Sequence, residues 1–596
     1  MAANANLTAL MADAGFKYYD DLHRWSVLDP VGFWGEVIDR LGIVFSTPPE
    51  AIVEGTPQDP TWLPGAKLNI VDSCFTAPGE ATAVHYRRSG ASHHLSYAQL
   101  EEQVARFANG LQDHGVTQGD RIAIAMPMTI ESVIAYLGTV AAGAVVVSIA
   151  DSSASDEIAT RLSLTDPVLS VTQDQVVRAG KALPMYDKVV EAGAAACVVV
   201  ETGAGIELRD IDSSYEAFLS DSTTFDPVQA HPTDHTNILF SSGTTGEPKA
   251  IPWTHLTPIK AAMDGRYHHD IHSDDIVAWP TNLGWMMGPW LIYATLINEA
   301  AFVLYDDVPT GHGFVDFVEE TGVTVLGLVP SIVAAWRSAG VLDDSPLSAV
   351  RVLSSTGEAS VAADCAWLME RAGGVPVIEY CGGTEIGGAY LTGTVLQDAV
   401  PGTFTTPTLG IDVRILDEDG NPADTGELFL VPPSIGLSEE LLHGDHYRVY
   451  YEGVPEADVP LRRHGDHMQR LPDGHYRALG RVDDTMNLSG IKVSSAEIER
   501  AVTSIDGVGE AAAIAVSPAD GGPSRLVVYV VPADPTKADV DRWKVEMQGA
   551  IRSQLNPLFK VDEVIAIDEL PRTASAKVMR RTLRDAWVDE TANPGL

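Results

Sequence analysis

Between Ser96 and Gly115 apolar residues recur at Leu100, Val104, Phe107, Ala108 and Leu111, the spacing of a helix with one buried face, and Gly115 is placed to end it. Arg121 to Met126 then reads as a strand, Thr129 to Ala142 as a helix and Val145 to Ile149 as a second, fully apolar strand, which together make a β-α-β unit. The pattern recurs with Phe302 to Tyr305, Phe314 to Thr321 and Val323 to Val329, predicting a largely parallel, helix-covered sheet over residues 70 to 480. After Ser494, which with Glu497 forms a capping box, the periodicity changes. It predicts a helix over 495–503, strands over 511–517 and 525–531, a helix over 538–555 and a strand over 563–568. Val540, Trp543, Met547, Ile551 and Leu555 share one face of the longer helix. The fold class expected is α/β: a large multi-sheet N-terminal domain with parallel, helix-covered sheets, followed by a small α+β C-terminal domain.

Chain length supports that division, since 596 residues at ~150 per domain suggest more than two structural units. The longest weakly polar stretch, Thr139 to Ala150, is too short to span a bilayer, and the first thirty residues carry Asp20, Asp21 and Arg24 rather than an apolar core. Cys74, Cys197, Cys365 and Cys381 are widely spaced and suggest neither a disulfide framework nor a zinc site, so a reducing cytoplasm is expected. The net charge of −43 argues against nucleic-acid and anionic-membrane partners. Only 11 of the 39 basic residues are lysine, an acidic, lysine-poor balance that suggests a high-salt cytoplasm. At ~1 M salt the Debye length is ~3 Å, which screens most carboxylate repulsion.

Against that charge, one loop has the makings of an anion site. The apolar run Ile238 to Phe240 enters Ser241-Ser242-Gly243-Thr244-Thr245-Gly246-Glu247-Pro248-Lys249, which combines hydroxyls, two glycines that admit close backbone approach, and an ammonium group. Its spacing is not that of a P-loop, because two residues rather than four separate the glycines and Ala250 follows the lysine. Two further strand ends lead into small-residue loops, Thr356-Gly357-Glu358-Ala359 and Cys381-Gly382-Gly383-Thr384-Glu385, where a hydroxyl can bond phosphate and a carboxylate can hold Mg²⁺. His268, His269 and His272 read as a surface loop rather than a metal site, and the tryptophans of Trp279 to Gly288 read in isolation as core packing.

The order S-S-G-T-T-G-x-P-K resembles the phosphate-loop signature of the acyl-adenylate-forming (AMP-binding) superfamily, which includes acyl-CoA synthetases, luciferases and peptide-synthetase adenylation domains. Y-C-G-G-T-E-I-G-G looks most like the plant-type acyl-activating enzymes, and Trp25 to Trp34 resembles the N-terminus of acetoacetyl-CoA synthetases, here a lead-in anchored by its aromatics. The resemblance covers roughly residues 80 to 585 and implies a lead-in over 1–70, a large AMP-binding domain over 71–482 and a mobile small domain over 483–596, hinged at Asp483. It implies ATP and AMP contacts at Ser241, Ser242, Gly243, Thr244, Thr245, Gly246 and Lys249, at Gly357, Glu358 and Ala359, and at Cys381, Gly382, Gly383 and Thr384. It adds Asp466 on the ribose hydroxyls, and Arg481 and Lys492 near the nucleotide. Lys577, Thr384 and Glu385 carry the catalytic roles, with Glu385 on Mg²⁺. Ser489 and Gly490 border the coenzyme A arm, and Trp285 and Gly382 the acyl pocket. Cys381 departs from the aromatic residue that members use to stack on adenine. Gly382 replaces the tryptophan of acetate-specific members, which implies an acid longer than acetate and a pocket that a tryptophan at 382 would close.

The expected activity is that of an AMP-forming acid:CoA ligase using a carboxylic acid, ATP and coenzyme A. Acetate or acetoacetate as the acid, an enzyme loading a separate carrier protein, and a non-catalytic nucleotide-binding scaffold are the alternatives. A homo-oligomer is compatible with all of them. If the acidic surface is adapted to salt, activity and melting temperature rise with KCl; full activity and an unshifted melting temperature in dilute buffer exclude that adaptation.

Overall fold

The structure is a computed structural model that describes residues 4–592 apart from 89, 179, 242–247, 344–346, 483–484, 519–521, 535, 537 and 573–577. Two large sheets organise the first four hundred residues or so. In the seven-stranded sheet, Ser213–Ser214, Cys197–Val200, Leu169–Gln173, Arg121–Ala125, Val145–Ile149 and His235–Ser241 lie side by side in parallel, and Lys249–Thr254 closes the edge antiparallel. The nine-stranded sheet is parallel from Val377–Gly383 through Val352–Thr356, Val325–Leu328, Ile276–Ala278 and Ala301–Leu304 to Thr82–Arg88, with antiparallel strands at both edges. Strands covered on both faces must be apolar on both, and every residue of Val145–Ile149 is buried. The helix Ile130–Ala141 is buried all round as well, and its side chains share one continuous core with residues of both sheets.

The predicted helix after Ser96 spans Tyr97–Asp113, started by a capping box between Ser96 and Gln99. The lead-in forms three helices, Asn6–Ala14, Tyr19–Leu28 and Pro30–Leu41, the last begun by Asp29, whose carboxylate accepts from Gly32 N. Phe33 and Trp34 are fully buried in the main core, and the Tyr19 hydroxyl donates to Pro407 O at 2.7 Å, so the aromatics do anchor this segment. His268 and His269 correct the sequence reading, since both are fully buried rather than on a surface loop. His268 Nε2 accepts from Leu409 N at 3.2 Å, and His269 bonds Ser354 Oγ at 3.0 Å. Burial pushes their pKa values down to about 3 and about 4, which makes them neutral packing groups. Among the described residues no group of three or more His, Cys, Asp or Glu could hold a metal ion.

A four-stranded antiparallel sheet, Asp412–Leu416, Thr425–Val431, Arg462–Arg470 and Tyr476–Arg481, precedes the small domain. There the hairpin Thr485–Leu488 and Ile491–Ser494 leads into the helix Ser495–Thr503, capped by Ser494 and Glu497. The strands Val508–Val516, Arg525–Pro532 and Val561–Ala566 form one sheet, covered by the helix Val540–Gln554. Trp543, Met547 and Ile551 are buried on that helix as the periodicity predicts; Val540, its first residue, stays exposed.

The small domain is seated on the large one through backbone groups. Ala154 N, at the start of the helix Ser155–Thr165, donates to Leu555 O at 3.1 Å, and Gly522 N donates to Ala359 O at 3.0 Å. Asn556 Nδ2 reaches Ser152 Oγ at 3.4 Å, and Asn487 Nδ2 donates to Gly357 O.

Under the strand Val377–Gly383 lies an ion pair taken wholly out of water. Lys260 Nζ meets Asp264 Oδ1 at 2.6 Å with both side chains fully buried. The other carboxylate oxygen accepts from the Tyr380 hydroxyl at 2.6 Å and from Ala389 N at 2.9 Å, so Asp264 joins two neighbouring strands. Tyr380 is thereby turned into the core against His269 and Trp290. Removing the lysine leaves a buried, uncompensated carboxylate. Lys260→Ala is expected to cost about 3–5 kcal/mol in urea-induced unfolding, and a change below about 1 kcal/mol would show that the pair does not brace the strand.

Candidate active site

Strand ends from both large sheets meet at Glu385. The hairpin of His235–Ser241 with Lys249–Thr254 places Ser241 directly opposite Lys249, which fixes the two ends of the hydroxyl-rich loop. Residues 242–247, with Ser242, Gly243, Thr244, Thr245 and Gly246 among them, lie outside the described residues. From the other sheet, Val377–Gly383 turns through residues 384–387 into Gly388–Thr392, and that turn carries Glu385. Ser241 Oγ donates to Glu385 Oε1 at 2.9 Å, and Lys249 Nζ lies 3.4 Å from the same oxygen. The turn is held from behind, where Trp253 Nε1 donates to Thr384 O at 2.9 Å and Ser438 N donates to Glu385 O at 2.8 Å.

Glu385 Oε2 is buried and has no hydrogen-bond partner among the described residues. Burial alone would raise the pKa of this carboxyl, but the ammonium groups of Lys249 and Lys492 outweigh it and hold Glu385 well below the usual carboxylate range. It is therefore an anion with one bare oxygen, which is what a hard divalent cation requires of a protein ligand.

A second charged pair is built by register. Asp466 and Arg481 stand opposite each other in paired strands, and Arg481 Nη1 donates to Asp466 Oδ1 at 3.1 Å. Burial would raise the Asp466 pKa, yet Arg481 holds it down at about 2, so the group is ionised throughout the neutral range. Asp466 Oδ2 accepts from the Tyr390 hydroxyl, which also contacts Cys381 Sγ at 3.0 Å. Burial pushes the Cys381 thiol up to about 12, leaving an inert surface where an aromatic ring was expected by family pattern. Tyr380, committed to Asp264, does not take that place.

Gly357 has a φ of 93° and its carbonyl receives Asn487 of the small domain. Glu358 accepts from Ser331 N at 3.0 Å, while its Oε1 is buried and unpartnered. A Cβ on Gly490 would lie 3.8 Å from Glu358 Cγ, so the Gly490 turn sits directly against the Gly357-Glu358 loop. Ser489, with a φ of 53°, donates to Leu558 O at 3.2 Å. Asp483 and Lys577 lie outside the described residues; Arg572 and Val578, which flank 573–577, pair with each other on the small domain.

Packing bears on both acyl-pocket expectations and corrects that for Gly382. A Cβ on Gly382 would lie 1.8 Å from Gly388 O and 2.7 Å from Ala389 Cα, so glycine is required by the close approach of two strands and opens no volume along its side-chain direction. A tryptophan has no room there unless the strand Gly388–Thr392 moves away. Trp285, half-buried, packs against the small-domain core that contains Met486, Leu488 and Ile491, which makes it an interdomain contact. Trp279 is 3% exposed and lies so close to Gly327 that a Cβ there would overlap its ring, as the core reading has it.

Several members of the site carry no motif signal. Tyr390 bonds the Asp466 carboxylate; Arg462, fully buried, lies 4.1 Å over the Tyr450 ring; and His464 lies beside Asp466. A cleft of about 770 Å³ between the helix Tyr19–Leu28 and the turn at 473–475 is lined by Arg24, Arg414 and Arg470 and by none of the motif residues.

The chain belongs to the AMP-binding enzyme family, which matches residues 72–436, with the C-terminal domain of AMP-binding enzymes over 497–577 and an acetyl-coenzyme A synthetase N-terminus over 19–74. Its fold and family are those of an acyl-CoA synthetase, an acid–thiol ligase that uses ATP. Its relatives narrow this further. It is 44% identical to a probable peroxisomal acyl-activating enzyme 17 of Arabidopsis thaliana, over 97% of this chain and 84% of that one. It is 43% identical to hexanoyl-CoA synthase of Cannabis sativa, over 98% and 87% of the two chains. Among solved structures, acetoacetyl-CoA synthetase from Streptomyces lividans superposes with a TM-score of 0.78 at 26% identity, covering 98% of this chain and 94% of that one.

The Gly382 geometry has a direct test. Gly382→Ala is expected to destabilise the protein by about 1–3 kcal/mol in thermal unfolding, because strand backbone has to shift to admit one methyl group. An unchanged melting temperature would restore the open-pocket reading of this position.

Proposed function

We propose that this protein joins a carboxylic acid longer than acetate to coenzyme A through an acyl-adenylate. The observation that carries the reading is the convergence on Glu385 of Ser241, Lys249 and Lys492, with the Asp466–Arg481 pair close by. Cations gathered around an ionised carboxylate with a bare oxygen suit a polyphosphate and its metal. In the first step a carboxylate oxygen of the acid attacks the α-phosphorus of ATP, the bond from that phosphorus to the bridging oxygen breaks, and pyrophosphate leaves. In the second the coenzyme A sulfur attacks the acyl carbon, the thiol proton passes to solvent, and AMP leaves with the electron pair of the broken acyl carbon–oxygen bond of the mixed anhydride.

Glu385 Oε2 fits Mg²⁺, which when bound neutralises charge developing on phosphate oxygens. Ser241 and Lys249 orient that carboxylate, Asp466 accepts from the ribose hydroxyls, and Arg481 keeps Asp466 ionised. Lys492 enters from the small domain, and the Gly490 turn against Gly357 and Glu358 suits thioester formation, with pantetheine passing Gly490. Adenylation then requires the small domain to turn about Asp483 and bring Lys577 between the acid and the α-phosphate.

The acid length rests on the likeness to hexanoyl-CoA synthase. Four free cysteines, three of them buried, support a reducing compartment such as the cytoplasm. Coenzyme A-dependent pyrophosphate release is to be measured over a panel of straight-chain acids from acetate to dodecanoate. A maximum at acetate would overturn the length, and AMP formation indifferent to coenzyme A would mark a carrier-loading enzyme. Lys577→Ala is expected to slow acyl-AMP formation by at least ~100-fold and to spare thioester formation from supplied acyl-AMP. Equal loss of both steps would refute the alternating roles.

A further inference from the structure

His464 lies two residues before Asp466 on the strand Arg462–Arg470, and its side chain is 2% exposed. Its Nε2 is buried with no hydrogen-bond partner among the described residues. The Asp466 Oδ2 atom is 3.4 Å away, but that oxygen already accepts from Tyr390. A buried polar nitrogen left bare is costly unless a ligand completes it.

Where that nitrogen is needed follows from Gly383. A Cβ placed on this glycine would lie 3.2 Å from His464 Cε1, 3.3 Å from Glu385 Oε2 and 3.4 Å from Lys492 Nζ. An imidazole edge, a bare carboxylate oxygen and an ammonium group therefore converge on one point that the missing side chain leaves free. The point has the ribose carboxylate Asp466 on one side and the metal-binding carboxylate Glu385 on the other. In a nucleotide, the group between the ribose and the metal-bound phosphates is the α-phosphate. Burial, together with Lys492 and Arg481, holds the imidazole neutral, so it offers one N–H to an anion without adding a charge.

We infer that His464 contacts the nucleotide, its Nε2–H donating to a non-bridging oxygen of the α-phosphate, with Gly383 bare so that this phosphate can approach the backbone. The inference rests on the adenylate reading of the site and adds to it a residue that no motif marks.

The test uses binding rather than turnover. AMP and adenosine differ by this phosphate, and their dissociation constants are to be measured by calorimetry on the full chain and on His464→Ala and His464→Gln. His464→Ala is expected to weaken AMP by ~10-fold or more and to leave adenosine within about twofold, since a hydrogen bond to a charged group is lost. His464→Gln, which keeps a neutral N–H, is expected to recover part of the AMP affinity. Equal weakening of both ligands would show that His464 only shapes the ribose pocket and would overturn the inference, as would unchanged AMP affinity. If the unsubstituted protein binds neither ligand, the adenylate reading itself fails.

Discussion

Glu385 is where the molecule's two large sheets are tied together, and the tie is electrostatic. Its carboxylate stands on a turn of the nine-stranded sheet, and one of its oxygens is held by Ser241 and Lys249 at the edge of the seven-stranded sheet. A carboxylate this deeply buried would take up a proton if left alone. It stays ionised because Lys249 approaches from its own side and Lys492 from the small domain. All three bodies of structure therefore contribute to one charge, and the other face of that charge is left for a ligand. The second buried carboxylate, Asp264, works differently, with its oxygens committed to Lys260, Tyr380 and Ala389. One acid has both oxygens committed within the fold, and the other keeps one oxygen without a partner among the described residues.

A chain of net charge −43 binds polyanions only where cations outweigh carboxylates at short range. Much of that concentration is arranged by strand register rather than by sequence runs. Ser241 faces Lys249 across a hairpin, Asp466 faces Arg481 across another, and Lys492 sits on the short hairpin whose Asn487 holds Gly357. Separations that look arbitrary along the chain, such as the fifteen residues from Asp466 to Arg481, become direct contacts once the strands pair.

How much of this was legible depended on whether the signal was local. Helix Ser495–Thr503 matches its predicted limits, because a capping box and a steady apolar face both lie within a few residues. The motif residues Ser241, Lys249, Thr384, Glu385, Asp466 and Arg481 are brought together, since their order is a strong likeness and their strands run as the periodicity implies. His268 and His269 were misread because a polar, aspartate-flanked stretch looks exposed, and only the fold shows that their nitrogens are bonded by Gly393 O, Leu409 N and Ser354 Oγ. Tyr390 and His464 gave no signal for a related reason, since Tyr390 meets Asp466 76 residues on and the role of His464 is a vacant bond; Lys260 pairs only four residues away, but nothing local shows that the pair is buried. Gly382 misled in the opposite sense. A glycine that replaces a large residue reads as space, whereas here it marks two backbones already touching.

The seam between Ala154 and Leu555 places the end of one helix against the beginning of another. The helix Ser155–Thr165 begins without a side-chain cap, and the carbonyl it uses instead belongs to Leu555, where the helix Val540–Gln554 ends. The negative end of one macrodipole therefore abuts the positive end of the other. Because donor and acceptor are both main-chain atoms, almost any side chains could occupy these two positions and the joint would persist. Such a joint is inherited through shape alone: it leaves no trace in an alignment, and residue-by-residue comparison of relatives would pass over one of the contacts that seats the small domain.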